Sequence, residues 1–307
     1  MRLVHLIDSR EYVRANCFQH QLLAHILGQR PEYRDVTVAE LRAGVPCPEA
    51  DVVLSTLRLR TLARELDFVR RALGRTRVHV YDQDPWEAFV DGASCRGAYG
   101  RIATALNVAS FLVTSRWWAR HVETQGMPAR FVRMWPLPEY CDPATPWQDR
   151  PIEVGFKGTL HPHRRASVER LARLGVNVTV LPPGPYDEFL RDLSRMRFFF
   201  HDESGEGWRI DGAPIDRNCV WIKEVEAMAR GCLALRVDDD ESAAYCEGLP
   251  ALRAVRSLDD VPGVIEDARR DPARAAADSA ATVERILRAP HGSRWIDLAE
   301  LAEENAR

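Results

Sequence analysis

The sequence predicts an α/β protein made of parallel βαβ units arranged as two domains. Short apolar runs alternate with amphipathic stretches of ten or more residues, the pattern of strands joined by crossover helices and not of a sandwich. At 307 residues the chain is long for one core and comfortable for two. Between two such series lies a stretch, Trp135 to Trp147, with four prolines, a density that neither a helix nor a central strand survives.

In the first half, residues 3–7 read as a strand and 12–27 as one amphipathic helix, with Leu22, Leu23, Ile26 and Leu27 on a common side. The intervening Asp8-Ser-Arg10 turn contains no glycine, so a dinucleotide-binding fingerprint is absent. Residues 36–38 and 51–54 are further strands. Leu59, Leu62, Ala63, Leu66, Val69 and Leu73 form a helical stripe that Gly74 ends. A strand over 77–81 is stopped by Pro85, which leaves Asp82 and Asp84 at a strand end, where open α/β sheets carry their ligand sites. A helix over 97–106, a strand over 109–115, a helix over 117–124 closed by Gly126 and a strand over 130–134 complete this half.

The second half restarts with a strand at 152–156, a loop over 157–165 and a helix over 166–174 capped by Gly175. A strand at 177–181, a helix at 186–196 and a buried strand at 197–200 follow. A glycine-rich loop spans 201–215. Residues 217–231 then read as a helix, since Val220, Glu224 or Val225, and Met228 recur at helical spacing and Gly231 stands at the C-cap. The apolar run 232–237 after it suits a strand of a buried parallel sheet. Helices over 258–269 and 272–287 and an amphipathic tail, with Trp295, Leu298 and Leu301 in phase, end the chain.

Composition narrows the function classes. Hydrophobic residues make up 46% and charged residues 28%, as in ordinary globular proteins. A formal net charge of -3 argues against a nucleic-acid-binding surface as the main business. The seven cysteines are scattered without a Cys-x-x-Cys pair, which reads as reduced thiols and not as a zinc site or disulfide framework. The first seven residues are too short and polar for a signal segment, and no run approaches membrane-spanning length, so a cytoplasmic protein is expected. Abundant Arg and Ala with little Lys suggest a GC-rich, bacterial genome.

Three segments carry candidate chemistry. Val154-Gly-Phe-Lys-Gly-Thr-Leu-His-Pro-His-Arg-Arg165 combines Gly155 and Gly158, which let backbone amides approach an anion, with a helix start and the cations Lys157, Arg164 and Arg165. Those cations suit an anionic group such as a diphosphate. The second is the loop opening at His201 and running to the helix that holds Asn218. The third is Glu226, a carboxylate placed mid-helix just before the chain enters a sheet.

Glu226-Ala-Met-Ala-Arg-Gly231 resembles the Glu-Ala-Met-Ala-x-Gly-x-Pro pattern of glycosyltransferases with the GT-B fold, closest to the glycosyltransferase 4 group and its spore-maturation-type relatives. The resemblance implies two facing Rossmann-like domains and a C-terminal helix that returns to the first. It divides the chain into an acceptor domain (1–138), a Pro-rich linker (139–150), a donor domain (151–290) and the returning helix (291–307). It also implies that Glu226 bonds the donor ribose, and that the 154–165 loop and the 201–218 segment contact the donor diphosphate and sugar. The family's usual acidic residue eight positions before that glutamate is Asn218 here. The expected activity is metal-independent transfer of a sugar from a nucleotide-diphosphate sugar to a hydroxyl acceptor, with no cofactor beyond the donor and no nucleic-acid partner.

Each residue also has a plainer reading. Asn218 suits a helix N-cap, His201 a hydrogen-bonded core histidine, and the arginine pair ordinary surface charge. Asp82 and Asp84 spell Asp-x-Asp, which in the other common glycosyltransferase fold holds a divalent cation. They also suit an acceptor-side role, orienting or deprotonating a hydroxyl, or simple capping of the turn before Pro85. The competing functions are therefore a metal-dependent transferase and a non-catalytic nucleotide-sugar-binding protein.

Overall fold

The computed structural model describes residues 1–142, 145–201, 207–215, 221–237, 248–289 and 295–306. Asn218 lies outside them. The chain forms two compact units, one of Met1–Arg133, Trp208–Ile215 and Gly292–Arg307, the other of Met134–Gly207 and Asp216–His291.

The first unit is built on six parallel strands: β1 (Arg2–Ile7), β2 (Glu32–Thr37), β3 (Val52–Ser55), β4 (Val78–Asp82), β5 (Val108–Val113) and β6 (Ala129–Phe131), in the order β2-β1-β3-β4-β5-β6. Strands β3 and β4 are buried at every residue, β3 as a mainly apolar run and β4 with His79 and Asp82 among its buried residues. At the sheet edge, β2 alternates exposed and half-buried residues before burying Val36 and Thr37, so only its end was legible as a strand.

Two helical stripes break where the sequence suggested continuity. The first divides into α1 (Arg10–Ala15) and α2 (Cys17–Gly28) because the Asn16 side chain accepts from the Gln19 amide at 3.1 Å and so caps a new helix. The second divides into helices Leu59–Arg64 and Leu66–Leu73 at Glu65, a buried carboxylate that takes Arg42 at 2.8 Å and Arg64 at 2.7 Å. Gly74, at φ +59°, ends the latter. Helix Leu298–Ala306 packs on this same unit, with Leu298 and Leu301 buried and the Glu304 carbonyl accepting from Arg77 at 2.6 Å.

The second unit carries β7 (Ile152–Lys157), β8 (Val178–Leu181), β9 (Met196–Phe200), β12 (Leu233–Val237) and β13 (Leu252–Val255), all parallel, in the order β13-β12-β9-β7-β8. The short antiparallel hairpin β10 (Arg209–Ile210) and β11 (Ala213–Pro214) belongs to the first unit. Neither the hairpin nor β13 was anticipated: β13 is an edge strand with Arg253 and little burial, and the hairpin is two residues deep on each side. Among the described residues, the Pro-rich stretch contributes only 3₁₀ turns at Pro138–Tyr140 and Trp147–Asp149. Both sheets reverse their direction of growth once, between β1 and β3 and between β7 and β9, and such switch points open a crevice at the carboxyl ends of the strands.

Gly155 lies inside β7, not in a cradle. A Cβ there would stand 2.7 Å from Met196 Cγ and 2.8 Å from its Cε. The residue is demanded by the packing of β7 on β9. Gly155→Ala is expected to cost about 1–3 kcal/mol in denaturant unfolding, with part of the loss recovered beside Met196→Ala. Wild-type stability in the single variant would contradict this account.

Candidate active site

In the second unit, β7 ends at Lys157 beside the end of β9, at the switch point. Lys157 is 1% exposed and its Nζ is held by Asp192 at 2.6 Å and Glu188 at 3.4 Å on helix α9 (Tyr186–Leu193), so its charge is answered within the fold and does not stand open to an anion as expected. Gly158 adopts φ +140°, a region that favours glycine, and its amide is donated to the Leu181 carbonyl at 3.1 Å. A Cβ on Gly158 would lie 3.4 Å from the Nζ of Lys223. That lysine, on the first turn of helix α10 (Ile222–Ala229), was not singled out from the sequence. Its only signal was its position three residues before Glu226.

The helix after Gly158 begins at Pro162 and runs to Arg173, four residues earlier than expected because proline is well placed in a first turn. The N-cap residue His161 makes no capping hydrogen bond with its side chain, and the first amides of the helix give its start a partial positive charge. Arg164 is tied back to the Thr159 carbonyl at 3.0 Å and lies over the Phe156 ring, while Arg165 is exposed. Gly158, Lys223 and this helix start are therefore what the second unit brings together at the end of β7.

On α10, Glu226 is 1% exposed and accepts from the Tyr186 hydroxyl at 2.6 Å. The Tyr140 ring lies 5.8 Å from that of Tyr186, and burial, Glu139 and Glu226 push the Tyr140 hydroxyl up to about 12. Glu224, two residues earlier, is equally buried. It forms an ion pair with Arg236 of β12, takes the Trp221 amide at 3.2 Å and lies 3.0 Å from His201 Nδ1. His201 thus meets Glu224 inside the unit rather than presenting itself to a donor. The signal that could have exposed this network was Arg236, a lone cation within the apolar run of β12.

In the first unit, β4 delivers Asp82 to the carboxyl end of the sheet, next to β3. Asp82 is consumed by the turn: Oδ1 accepts from the Asp84 amide at 2.9 Å and Oδ2 from the Tyr99 hydroxyl at 2.8 Å. Burial raises its carboxyl to about 6. Asp84 is raised further, to about 7, by burial and then by the charges of Asp82 and Glu87. Its Oδ2 accepts from the Gln83 side chain at 3.2 Å, whereas Oδ1 is buried without a hydrogen-bond partner. The Gln83 backbone is in turn anchored by the Thr114 hydroxyl at 3.1 Å. Both aspartates line a cavity of about 190 Å³, together with Tyr12, Gln19, Thr56 and Arg58. Of the two carboxylates, Asp84 is the one with an oxygen to spare and a pKa near neutrality, as a general base requires.

Comparison with known proteins places this geometry in a fold. No family model matches the chain, and no curated protein is similar to it in sequence. Among solved structures it superposes on the DNA-modifying enzyme β-glucosyltransferase with a TM-score of 0.63 at 8% identity, covering 100% of this chain and 98% of that one. Anabaena HepE, solved with UDP, gives 0.59 at 12% identity over 100% and 98% of the two chains. A glycosyltransferase of avilamycin A biosynthesis gives 0.60 at 13% identity over the same shares. The fold is GT-B. In this GT-B chain the switch point of the second sheet carries Gly158 with Lys223, and in the first unit Asp84 follows β4, one strand beyond the β1–β3 switch point.

Proposed function

We propose that the protein is a glycosyltransferase that takes a sugar from a nucleoside-diphosphate donor held by the second unit and passes it to a hydroxyl activated by Asp84 of the first. The observation that carries the reading is the end of β7, where Gly158 meets the Lys223 ammonium and the Pro162–Arg173 helix starts four residues on, groups suited to a diphosphate. The buried Glu226 carboxylate on the same helix as Lys223 supports a ribose-binding role. The negative charge that develops on the departing diphosphate is met in this reading by Lys223 and the helix start, so transfer proceeds without a metal ion. HepE solved with UDP makes uracil the first base to try.

A thermal-shift panel of UDP, GDP, ADP, CDP and dTDP, each with and without Mg²⁺, tests this directly, because a ligand that binds only the native state raises its melting temperature. One diphosphate is expected to stabilise the protein without metal. A shift seen only with Mg²⁺ would count against metal independence, and no shift with any nucleotide would count against the donor site. Glu226→Gln is expected to weaken binding of that diphosphate about 10- to 100-fold, the loss of a charged hydrogen bond, without unfolding the protein. Lys223→Ala should weaken the diphosphate while leaving the nucleoside unaffected. Unchanged affinity in both variants would remove these residues from the site.

A further inference from the structure

A second cavity, of about 560 Å³, opens in the first unit and shares no lining residue with the one beside Asp84. Helices Ala98–Ala105 and Arg116–Thr124 and the β10–β11 hairpin contribute to its walls. Gln125 and Met127, which precede β6, also line it, so it extends away from the strand carboxyl ends that hold the candidate active site. Its size suits a small molecule. The hairpin is fixed in place: Trp208, which leads into it, stacks on Trp86 at 4.8 Å and 22°. Asp91 accepts from the Asp211 amide at 3.2 Å and the Gly212 amide at 2.8 Å. Arg96 and Asp211 are the charged residues of the lining, and they are paired with each other.

Three rings line the cavity edge to face. Phe89 meets Tyr99 at 5.3 Å and 74° and His121 at 4.7 Å and 89°, and His121 lies flat on Trp117 at 5.1 Å and 8°. Phe89, His121, Met127 and Ile210 are each only half-buried, so the cavity shows rings and apolar side chains to water. The His121 ring nitrogens have no hydrogen-bond partner among the described residues. Burial lowers the pKa of His121, which leaves the ring neutral near pH 7, with one nitrogen to donate and one to accept. Gly100 stands inside helix Ala98–Ala105, where alanine is the better helix former, and a Cβ there would meet nothing within 4 Å. Neither packing nor a positive φ requires glycine at that position. Its bare backbone leaves room for a flat group against the helix. An ion gains no partner in such a cavity, and an aliphatic chain gains no ring contact and leaves the imidazole unmet. An aromatic ring with a hydroxyl meets both conditions, packing on the rings and bonding the imidazole.

We propose that this cavity is a second small-molecule site, which takes a neutral aromatic ring bearing a hydroxyl, the ring among Phe89, Tyr99 and Gly100 and the hydroxyl on His121. It goes beyond the donor and acceptor roles proposed above and does not depend on them. Tyr99 is where the two cavities adjoin: it lines this one, and its hydroxyl donates to Asp82, which lines the other.

The probe is 2-naphthol added to the full chain, with affinity read by equilibrium dialysis and position by the amide shifts of Gly97 and Gly100. Saturable binding that moves both amides is expected. Gly100→Leu fills the cavity from a helix position with open space around it. It should weaken binding at least about tenfold while the melting temperature holds or rises. His121→Phe keeps a ring and removes the nitrogens. It should weaken 2-naphthol about 3- to 10-fold, the loss of one hydrogen bond, and leave naphthalene unchanged. That arm decides the matter should Gly100→Leu not fold. No saturable binding up to about 1 mM, binding that moves neither amide, or binding untouched by Gly100→Leu overturns the site. Octanol or 2-naphthoate held as tightly as 2-naphthol overturns the ligand class, as does equal weakening of 2-naphthol and naphthalene by His121→Phe.

Discussion

Asp84→Asn is expected to lower turnover by about two to four orders of magnitude, the range for loss of a general base, and to raise the stability of the protein. The two effects have one cause. In the unfolded chain an aspartate ionises near 3.8, whereas in the fold burial and the neighbouring Asp82 and Glu87 raise Asp84 to about 7. A carboxyl with a raised folded pKa favours the native state fully below the unfolded value, and that contribution is lost as pH rises from about 4 through 7. Above pH 7 the native state holds a charge it would rather not carry, at a cost of up to about 4 kcal/mol for three units. Asparagine keeps the acceptor for Gln83 and removes the charge, so the variant gains most at pH 8 and little at pH 4. This is the trade expected if Asp84 is the base proposed above. In the proposed role, the rate of transfer by the native protein should climb with pH about a midpoint near 7, which belongs to the coupled Asp82–Asp84 pair and disappears in the variant. Melting curves at pH 4 and pH 8, with rates over the same range, check both halves. An Asp84→Asn protein that is active, or that is less stable at pH 8 than the native chain, would remove Asp84 from the role.

Breaking the ion pair between Glu224 and Arg236 is expected to give the largest loss of stability of any single change near the donor residues. Both side chains are about 1% exposed, one on α10 and the other on β12. Removing one partner leaves a desolvated charge in the sheet-facing side of the unit, which costs about 3–5 kcal/mol, a large share of the 5–15 kcal/mol typical of a native domain. Arg236→Met takes the countercharge from Glu224, and Glu224→Leu takes it from Arg236 and also removes the His201 contact at 3.0 Å. Replacing both at once exchanges the pair for apolar packing and is expected to recover most of the loss. Lys223 and Glu226 flank Glu224 on α10, so the double variant also asks whether the helix still presents them: diphosphate affinity should return with stability. Denaturant midpoints of the two singles and the double decide this. Singles that cost less than about 1 kcal/mol would show that the pair is not what anchors α10.

The elements that bury most of their residues were readable from the chain because burial leaves its mark residue by residue: β3, β4, β9 and β12 are largely apolar runs. Elements that bury little leave little mark. The edge strand β13 and the two-residue strands of the hairpin passed as loop, and single polar residues, Asn16 and Glu65, divided stripes whose periodicity ran straight through them. The same distinction holds at the candidate site. Asp82, Asp84, Gly158 and Glu226 were visible as residue types at strand ends and mid-helix, since a carboxylate or a glycine in such a place is unusual whatever surrounds it.

Which atoms remain available there was a different matter. Asp82 spends both oxygens on the turn and Tyr99, Lys157 spends its charge on Asp192, and Gly155 answers to Met196. Lys223 at Gly158, Trp208 on Trp86 and Arg236 on Glu224 each join residues from separate elements. By itself the sequence determined the two parallel α/β series and the chemical identity of the groups at their strand ends, because hydrophobic periodicity is a local property of the chain. The tertiary structure alone decided which of those groups are neutralised and which stay open, because a charge or a hydrogen bond is satisfied by whatever the fold brings within about 3 Å, and sequence distance does not enter that condition.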